Sequence, residues 1–162
     1  MNADTFVYVT YIATTPDKVW NALIDGEITR QYWGGNVNVP AKGWNKGSPW
    51  KHVSDGGKGA VKCVGEVLEV VPQKRLVLSW SDPGDESDPA KVSRVALELE
   101  TVDAMVRLTV THEHLTPAMA KKISGGWPLV CASLKSLLET GTALKIFSTC
   151  AQGANAGSAT KA

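Results

Sequence analysis

The sequence lacks the features that mark several classes of protein. Only three of its 162 residues are cysteine, Cys63, Cys131 and Cys150, and their wide spacing argues against a disulfide framework or a paired-thiolate metal motif. No stretch approaches the roughly 18 consecutive apolar residues of a membrane span. The first residues show no basic region followed by an apolar run. We therefore expect a soluble, cytoplasmic protein whose cysteines are small apolar core residues.

An excess of charge is also lacking. Lysine and arginine total 17 against 16 for aspartate and glutamate, which gives a formal net charge of +1, and neither sign forms a long block. Electrostatic binding to nucleic acid is therefore not expected. The sequence has no nucleophile elbow, and the glycine-rich segment 56–59 does not follow the order of a phosphate-binding loop. Nothing demands an enzyme, and we predict no cofactor and no metal.

Tryptophan, in contrast, is abundant. The chain has six tryptophans, and each can bury roughly 150–250 Å² of surface. Leaving all of them in water would be costly, so most are expected to fill the core. A sharper interpretation is that some of them line an incompletely filled cavity. The tryptophans are Trp20, Trp33, Trp44, Trp50, Trp80 and Trp127.

The pattern along the chain predicts one antiparallel sheet with two short helices near its start. Residues 6–12 are rich in β-branched and aromatic side chains, which is typical of a strand. Thr15 and Pro16 then form a helix start, and a second helical turn is expected over 28–32. A curved sheet of six or seven strands follows. Its further strands are predicted at 47–53, 60–71, 76–80, 92–100 and 105–112.

A long amphipathic helix is predicted near the C-terminus. Gly141 is a natural residue to end it, and Pro128 is expected to kink it or to mark its restart. We expect one domain over 1–147 and a disordered tail over 148–162, where no apolar period remains. The apolar stripe of the helix consists of Ile123, Trp127, Val130, Cys131, Leu134, Leu137 and Leu138.

The sequence resembles a known family in seven short segments that occur in the family's order. They are similar to single-domain bacterial proteins related to the activator of the heat-shock chaperone ATPase, and the resemblance covers roughly Phe6 to Leu144. This family lies in the START-like, or polyketide-cyclase and birch-allergen-like, superfamily. The resemblance implies an α+β helix-grip fold with a deep, mainly apolar cavity between the sheet and the long helix. The segments are 6–12, 15–23, 32–35, 65–70, 75–80, 108–112 and 126–141.

The function favoured by this resemblance is the binding of a small hydrophobic or aromatic molecule in that cavity. We expect either His52 or His112 as a polar anchor. The apolar walls are expected to be Trp50, Leu78, Trp80 and Trp127. On the long helix, the lid-side residues of the cavity are predicted to be Ile123, Trp127 and Cys131.

Two other functions stay open, and so does the oligomeric state. One is regulation of a chaperone, although the two-domain activators have an additional N-terminal domain for which this chain has no room. The other is an enzyme of the cyclase or aromatase type, in which a histidine or an acid in the cavity transfers a proton. A homodimer is compatible with the family.

A metal site at His112 and His114 is the less favoured interpretation of their spacing. Alternation along a strand places both imidazoles on one side, where they can chelate a metal. A third ligand is not evident in the sequence. We therefore expect both histidines to continue the core-facing side of the strand as structural or cavity-rim residues.

Overall fold

The computed structural model describes residues 4–147, which form a seven-stranded antiparallel sheet and three α-helices. The strands follow one another in the sheet in the order β1-β7-β6-β5-β4-β3-β2. The α+β helix-grip fold expected from the sequence is confirmed. The strands are β1 (Phe6–Ile12), β2 (Val37–Pro40), β3 (Pro49–Val53), β4 (Val61–Val71), β5 (Arg75–Trp80), β6 (Ser93–Val102) and β7 (Met105–Glu113). The helices are α1 (Pro16–Ile24), α2 (Gly26–Tyr32) and α3 (Pro117–Thr140).

One residue ends α1 and begins α2. The backbone N–H of Asp25 donates to Asn21 at 2.8 Å and closes the first helix. Its carboxylate accepts the N–H of Glu27 at 2.8 Å, which satisfies a free donor at the start of the second. Thr15 occupies the N-cap position of α1 as predicted, but its side chain makes no cap hydrogen bond. This tight junction turns the chain so that Trp33, directly after α2, is buried.

Alternation along the central strands gives the sheet one buried and one wetter face. In β7, Val106, Leu108 and Val110 are buried and the residues between them are half-buried. Salt bridges lie on the wetter face, among them Arg94–Glu113 at 3.0 Å. The buried face carries the core, against which α3 packs.

The long helix α3 is continuous through Pro128. Of the two outcomes expected at this proline, a kink or a restart, the restart does not occur, and the physical reason is tertiary packing. Trp127, Val130 and Cys131 are buried on either side of Pro128 and hold the helix across the missing N–H. Gly141 ends the helix in the left-handed region, with φ 82°, as predicted.

The sequence did not predict β2. This strand has four residues and pairs with β3 at the end of the sheet order. The expected tail, 148–162, lies outside the described residues. Within 4–147, no helix is both long and apolar enough to cross a membrane.

Candidate functional site

Four tryptophans and two histidines meet between the sheet and α3, and we call these six residues the aromatic cluster. They come from separate elements: one directly follows α2, two lie in β3, and β5, β7 and α3 supply one each. All six are buried. The aromatic cluster consists of Trp33, Trp50, His52, Trp80, His112 and Trp127.

Trp80 and Trp127 are the centre of the aromatic cluster. Their ring centroids lie 6.0 Å apart. The Trp80 ring also lies 5.1 Å from Trp50 and 5.6 Å from His112, and the Trp127 ring lies 5.4 Å from Trp33. The rings meet at tilted or edge-on angles, which is the arrangement that aromatic quadrupoles favour. The helix α3 is thus bound to the sheet through aromatic contacts at this point.

Both ring nitrogens of His112 are engaged in hydrogen bonds. The indole N–H of Trp127 donates to Nδ1 at 3.1 Å, so Nδ1 is the acceptor and Nε2 carries the hydrogen. Nε2 donates to the hydroxyl of Ser93 at 2.8 Å, and Ser93 donates to the carbonyl of Trp80 at 2.8 Å. Burial lowers the pKa of His112 to about 4, so the ring is neutral at pH 7.

His52 has a different hydrogen-bond pattern. Its Nδ1 lies 2.7 Å from Oδ1 of Asn38, a carbonyl-type oxygen that only accepts, so Nδ1 carries the hydrogen. Burial, together with the positive charge of Lys62, lowers the pKa of His52 to about 4. The ring packs against Trp33, with centroids 4.9 Å apart. His52 is therefore neutral, and its Nε2 is a bare acceptor.

A close approach between strands requires glycine at position 65. Trp50 lies opposite Gly65 in the sheet and donates its indole N–H to the carbonyl of Ser79 at 3.1 Å. A Cβ atom at Gly65 would lie 1.9 Å from that carbonyl oxygen and 2.7 Å from the indole nitrogen. The missing side chain leaves the space in which the Trp50 indole reaches its acceptor.

The structure brings most of the predicted site residues together. Trp50, His52, Trp80, His112 and Trp127 form the aromatic cluster, and their role in binding a ligand stays a prediction. Trp33, Asn38 and Ser93 also contribute to this region and were not predicted as site residues from the sequence. The remaining predicted site residues, Leu78, Ile123 and Cys131, are buried in the same hydrophobic core.

Two cavities on the surface of residues 4–147 lie beside α2 and α3, and neither is lined by a predicted site residue. The first, of about 430 Å³, lies between α2 and the turn that contains Asp55. The second, of about 260 Å³, lies between the loop after β5 and the first half of α3. At this second cavity, the ammonium group of Lys122 on α3 forms an ion pair with the carboxylate of Asp82, 3.2 Å away. The second cavity is lined by Asp82, Asp85, Lys91, Thr116, Ala118, Met119 and Lys122.

The two histidines at the end of β7 do not share a side. His112 is fully buried, whereas His114 is exposed and has left-handed backbone geometry, with φ 58°. The expectation that both continue the core-facing side is wrong, because the strand ends at Glu113 and the chain turns. Among the residues from 4 to 147, no group of three or more histidine, cysteine, aspartate or glutamate side chains is placed to hold a metal.

The buried cysteines are unreactive thiols. Burial raises the pKa of Cys63 to about 11 and that of Cys131 to about 12. Both side chains therefore stay protonated at neutral pH, and the thiolate needed for nucleophilic attack is not formed. Both are small buried core residues, as predicted from the sequence, whereas Cys150 lies outside the described residues.

Several solved structures are similar to this fold. A protein from Mesorhizobium loti is 27% identical, with a TM-score of 0.65, over 83% of this chain and 96% of that one. The Aha1 dimer from Colwellia psychrerythraea is 23% identical, with a TM-score of 0.65, over 85% and 97% of the two chains. An HSP90 activator from Plasmodium falciparum is 18% identical, with a TM-score of 0.62, over 76% and 87%.

The sequence itself shows the family. The chain matches no curated protein. Residues 13–139, which include α1 through nearly all of α3, match the model of the family described as "Activator of Hsp90 ATPase homolog 1-like protein". This match covers more than half of the chain. The protein therefore belongs to the family of proteins like activator of Hsp90 ATPase homologue 1, and it has the START-like fold of that family.

Proposed function

We propose that this protein binds a small hydrophobic or aromatic molecule between the sheet and α3, at the aromatic cluster. The observation that carries the proposal is the composition of this part of the interior. Large flat rings and two neutral imidazoles occupy a part of the core that aliphatic side chains would fill without the free-energy cost of burying polar nitrogens. Apolar walls with a few polar groups are the usual composition of a ligand site.

The first half of α3 supplies a route of access. Gly125 and Gly126 each weaken a helix by about 1 kcal/mol relative to alanine, and Pro128 has no N–H to donate to the carbonyl of Ser124. A Cβ atom at either glycine would have nothing within 4 Å, so packing does not require these glycines. They make this half of the helix the weaker one, and its outward movement would uncover Trp127.

The second cavity lies on this route. Its walls are the loop after β5 and the start of α3, the two segments joined by the Lys122–Asp82 ion pair. Both side chains of this pair are more than half exposed, so the pair contributes little stability. Trp80 does not line this cavity but lies two residues before Asp82, so a ligand that enters here meets the aromatic cluster only after this loop and α3 move apart.

Regulation of an Hsp90-type ATPase is the alternative, and an exposed apolar surface favours it. Val7, Val9 and Tyr11 on β1 are 56%, 44% and 42% exposed. They lie on alternate residues of a strand at the end of the sheet, so they form one apolar face that a protein partner could cover. This surface is separate from the aromatic cluster, so the two functions can be tested independently.

The geometry of His112 argues against this residue as the proton-transfer group of a cyclase-type enzyme. A proton-transfer group needs a nitrogen free to meet the substrate. Both nitrogens of His112 are hydrogen-bonded, to Trp127 and to Ser93. We therefore assign His112 the role of fixing the Trp127 indole and, through Ser93, the end of β5.

The proposal is tested by titration with the fluorescent probe N-phenyl-1-naphthylamine, with native mass spectrometry to count bound molecules. We expect saturable uptake of one probe per chain. The Trp80→Phe variant should change the Kd at least about threefold, because Trp80 is central to the aromatic cluster. The matched control is Trp44→Phe: Trp44 lies outside the cluster and donates to the carbonyl of Ile24, so the Kd should not change.

Absence of saturable uptake, or equal effects of the two variants, would reject ligand binding at this place. An ATPase assay with an Hsp90-type chaperone separates the alternative. Stimulation that Val9→Lys abolishes and Trp80→Phe preserves would favour chaperone regulation instead.

A further inference from the structure

We infer that His52 is the polar anchor of the ligand site and that the ligand is an uncharged aromatic molecule with a hydroxyl or N–H donor. This inference rests on the proposed function and narrows its ligand to one chemical class. It follows from the hydrogen-bond pattern of His52, its buried position and the rings around it.

The hydrogen-bond partner of the His52 ring shows which of its two nitrogens carries the hydrogen. The partner of Nδ1 is Oδ1 of Asn38, 2.7 Å away, which has lone pairs and no hydrogen. The hydrogen of the neutral imidazole must therefore lie on Nδ1. Nε2 is left with a lone pair that can only accept.

Nε2 of His52 has no hydrogen-bond partner among residues 4–147. Every fully enclosed side-chain nitrogen or oxygen in the part of the chain that the structure describes has such a partner. Nε2 must therefore keep contact with space that a water-sized group can occupy, although the residue as a whole is only 4% exposed. A buried acceptor beside accessible space is the feature that a ligand donor satisfies.

The two histidines of the aromatic cluster thus have opposite tautomers. His112 carries its hydrogen on Nε2, and both of its nitrogens are used inside the protein. His52 carries its hydrogen on Nδ1 and offers Nε2. The sequence left the polar anchor open between these two residues, and the geometry points to His52.

The acceptor at Nε2 selects the chemistry of the ligand. The His52 ring packs with Trp33, 4.9 Å away, and with Trp80, 6.2 Å away, and neighbouring aromatic rings of this kind favour a flat ligand. A hydroxyl or ring N–H at Nε2 gains a hydrogen bond. An ether oxygen or a carboxylate at the same place presents a second lone pair and loses its water without compensation. Lys62 is the nearby charge that affects His52, and it is exposed to solvent, which screens it.

The closing experiment compares two ligands of nearly equal shape by isothermal titration calorimetry. Indole has an N–H donor, and benzofuran has an oxygen acceptor in its place. We expect the wild-type protein to bind indole about three- to tenfold more tightly than benzofuran, which is the effect of one neutral hydrogen bond. Indole-2-carboxylate should bind more weakly than indole.

The His52→Leu variant should bind indole and benzofuran equally within about twofold, because a hydrogen-bond difference of this size disappears with the acceptor. The matched control, His114→Leu, alters an exposed histidine and should keep the preference for indole. Nitrogen-15 NMR of the histidine rings gives an independent test on the wild-type protein, which does not depend on the folding of a variant. It should show a bare Nε2 in His52 that responds to indole, and a protonated Nε2 in His112.

The outcomes distinguish failure of the inference about His52 from failure of the proposed ligand binding. Equal or tighter binding of benzofuran, or a protonated Nε2 in His52, overturns the inference about His52 even if N-phenyl-1-naphthylamine binds. Absence of binding by indole, benzofuran and N-phenyl-1-naphthylamine contradicts the proposed function, and the inference about the anchor fails with it.

Discussion

Trp127 on α3 donates its indole N–H to Nδ1 of His112 on β7 at 3.1 Å. This bond joins the long helix to the sheet at a buried position and fixes the tautomer of the histidine. Through Ser93 the same chain of hydrogen bonds continues to the carbonyl of Trp80 at the end of β5. The helix α3 and the three strands β5, β6 and β7 are therefore held by one polar path inside an apolar interior.

The Ser93→Ala variant should be less stable than the wild-type protein by about 1–3 kcal/mol. The substitution leaves the Nε2 hydrogen of His112 and the carbonyl of Trp80 without their partner, and unpaired buried groups of this kind cost about this much. The free energy of unfolding in urea measures the loss. Ser124→Ala is the control, because Ser124 is exposed on α3, and it should change this free energy by less than about 0.5 kcal/mol. Equal values for both variants would show that the path carries no stability.

The stability of the protein should fall as the pH is lowered from about 6.5 to about 4. The pKa of His52 and of His112 is about 4 in the folded state against an ordinary value of 6.5, so the unfolded chain takes up a proton first. The stabilisation that the two neutral histidines provide is complete above pH 6.5, the histidine pKa of the unfolded chain. It is lost as the pH falls through their folded-state pKa of about 4. Its size is on the order of 3 kcal/mol for each histidine, at about 1.4 kcal/mol per pH unit.

This dependence is measured by urea unfolding at several pH values between 7 and 4. His112→Gln should reduce the slope over this range, and the exposed residue provides the control, since His114→Gln should leave it unchanged. A slope that is the same in all three proteins would contradict the neutral, buried state of His112.

Gly65→Ala should be strongly destabilising. The added Cβ would lie 1.9 Å from the carbonyl oxygen of Ser79, a backbone atom that cannot move without shifting β5. The expected loss is larger than about 3 kcal/mol, as for other severe overpacking of a core. Thermal unfolding followed by circular dichroism checks it. A variant as stable as the wild-type protein would mean that β4 and β5 do not approach as described.

Gly125→Ala and Gly126→Ala should have the opposite effect. The new methyl group meets nothing within 4 Å at either position, and alanine favours the helix by about 1 kcal/mol over glycine. Each variant should therefore gain up to about 1 kcal/mol in the free energy of unfolding. If the first half of α3 opens to admit a ligand, the double variant should also bind N-phenyl-1-naphthylamine more slowly in stopped-flow fluorescence. Unchanged association would place the route of access elsewhere.

The sequence predicted the fold well where side-chain periodicity is strong. The strand Phe6–Ile12 was placed with its bounds correct, and the apolar stripe of α3 and its end at Gly141 were also correct. The short strand β2 was missed, because four residues that end in a proline are too few for an alternating pattern to be recognised. The restart, one of the two outcomes expected at Pro128, does not occur, because local propensity gives no account of burial on both sides of the proline.

The aromatic residues of the candidate site were predictable from the sequence, but the hydrogen-bond partners of its histidines were not. A tryptophan is expected to be buried because of its large apolar surface. Trp50, Trp80 and Trp127 could therefore be selected from the sequence alone. The partners of the histidines could not be selected in this way, since Asn38 and Ser93 are ordinary polar residues whose meaning depends on sheet register. Only the register brings Asn38 opposite His52.

The most direct test of ligand binding at the aromatic cluster is proton–nitrogen NMR of the tryptophan indole groups during titration with N-phenyl-1-naphthylamine. We predict that the signals of Trp33, Trp80 and Trp127 shift and saturate at one equivalent, while that of Trp44 stays constant. Constant signals throughout, or shifts of Trp44 as large as those of Trp127, would contradict a ligand site between the sheet and α3.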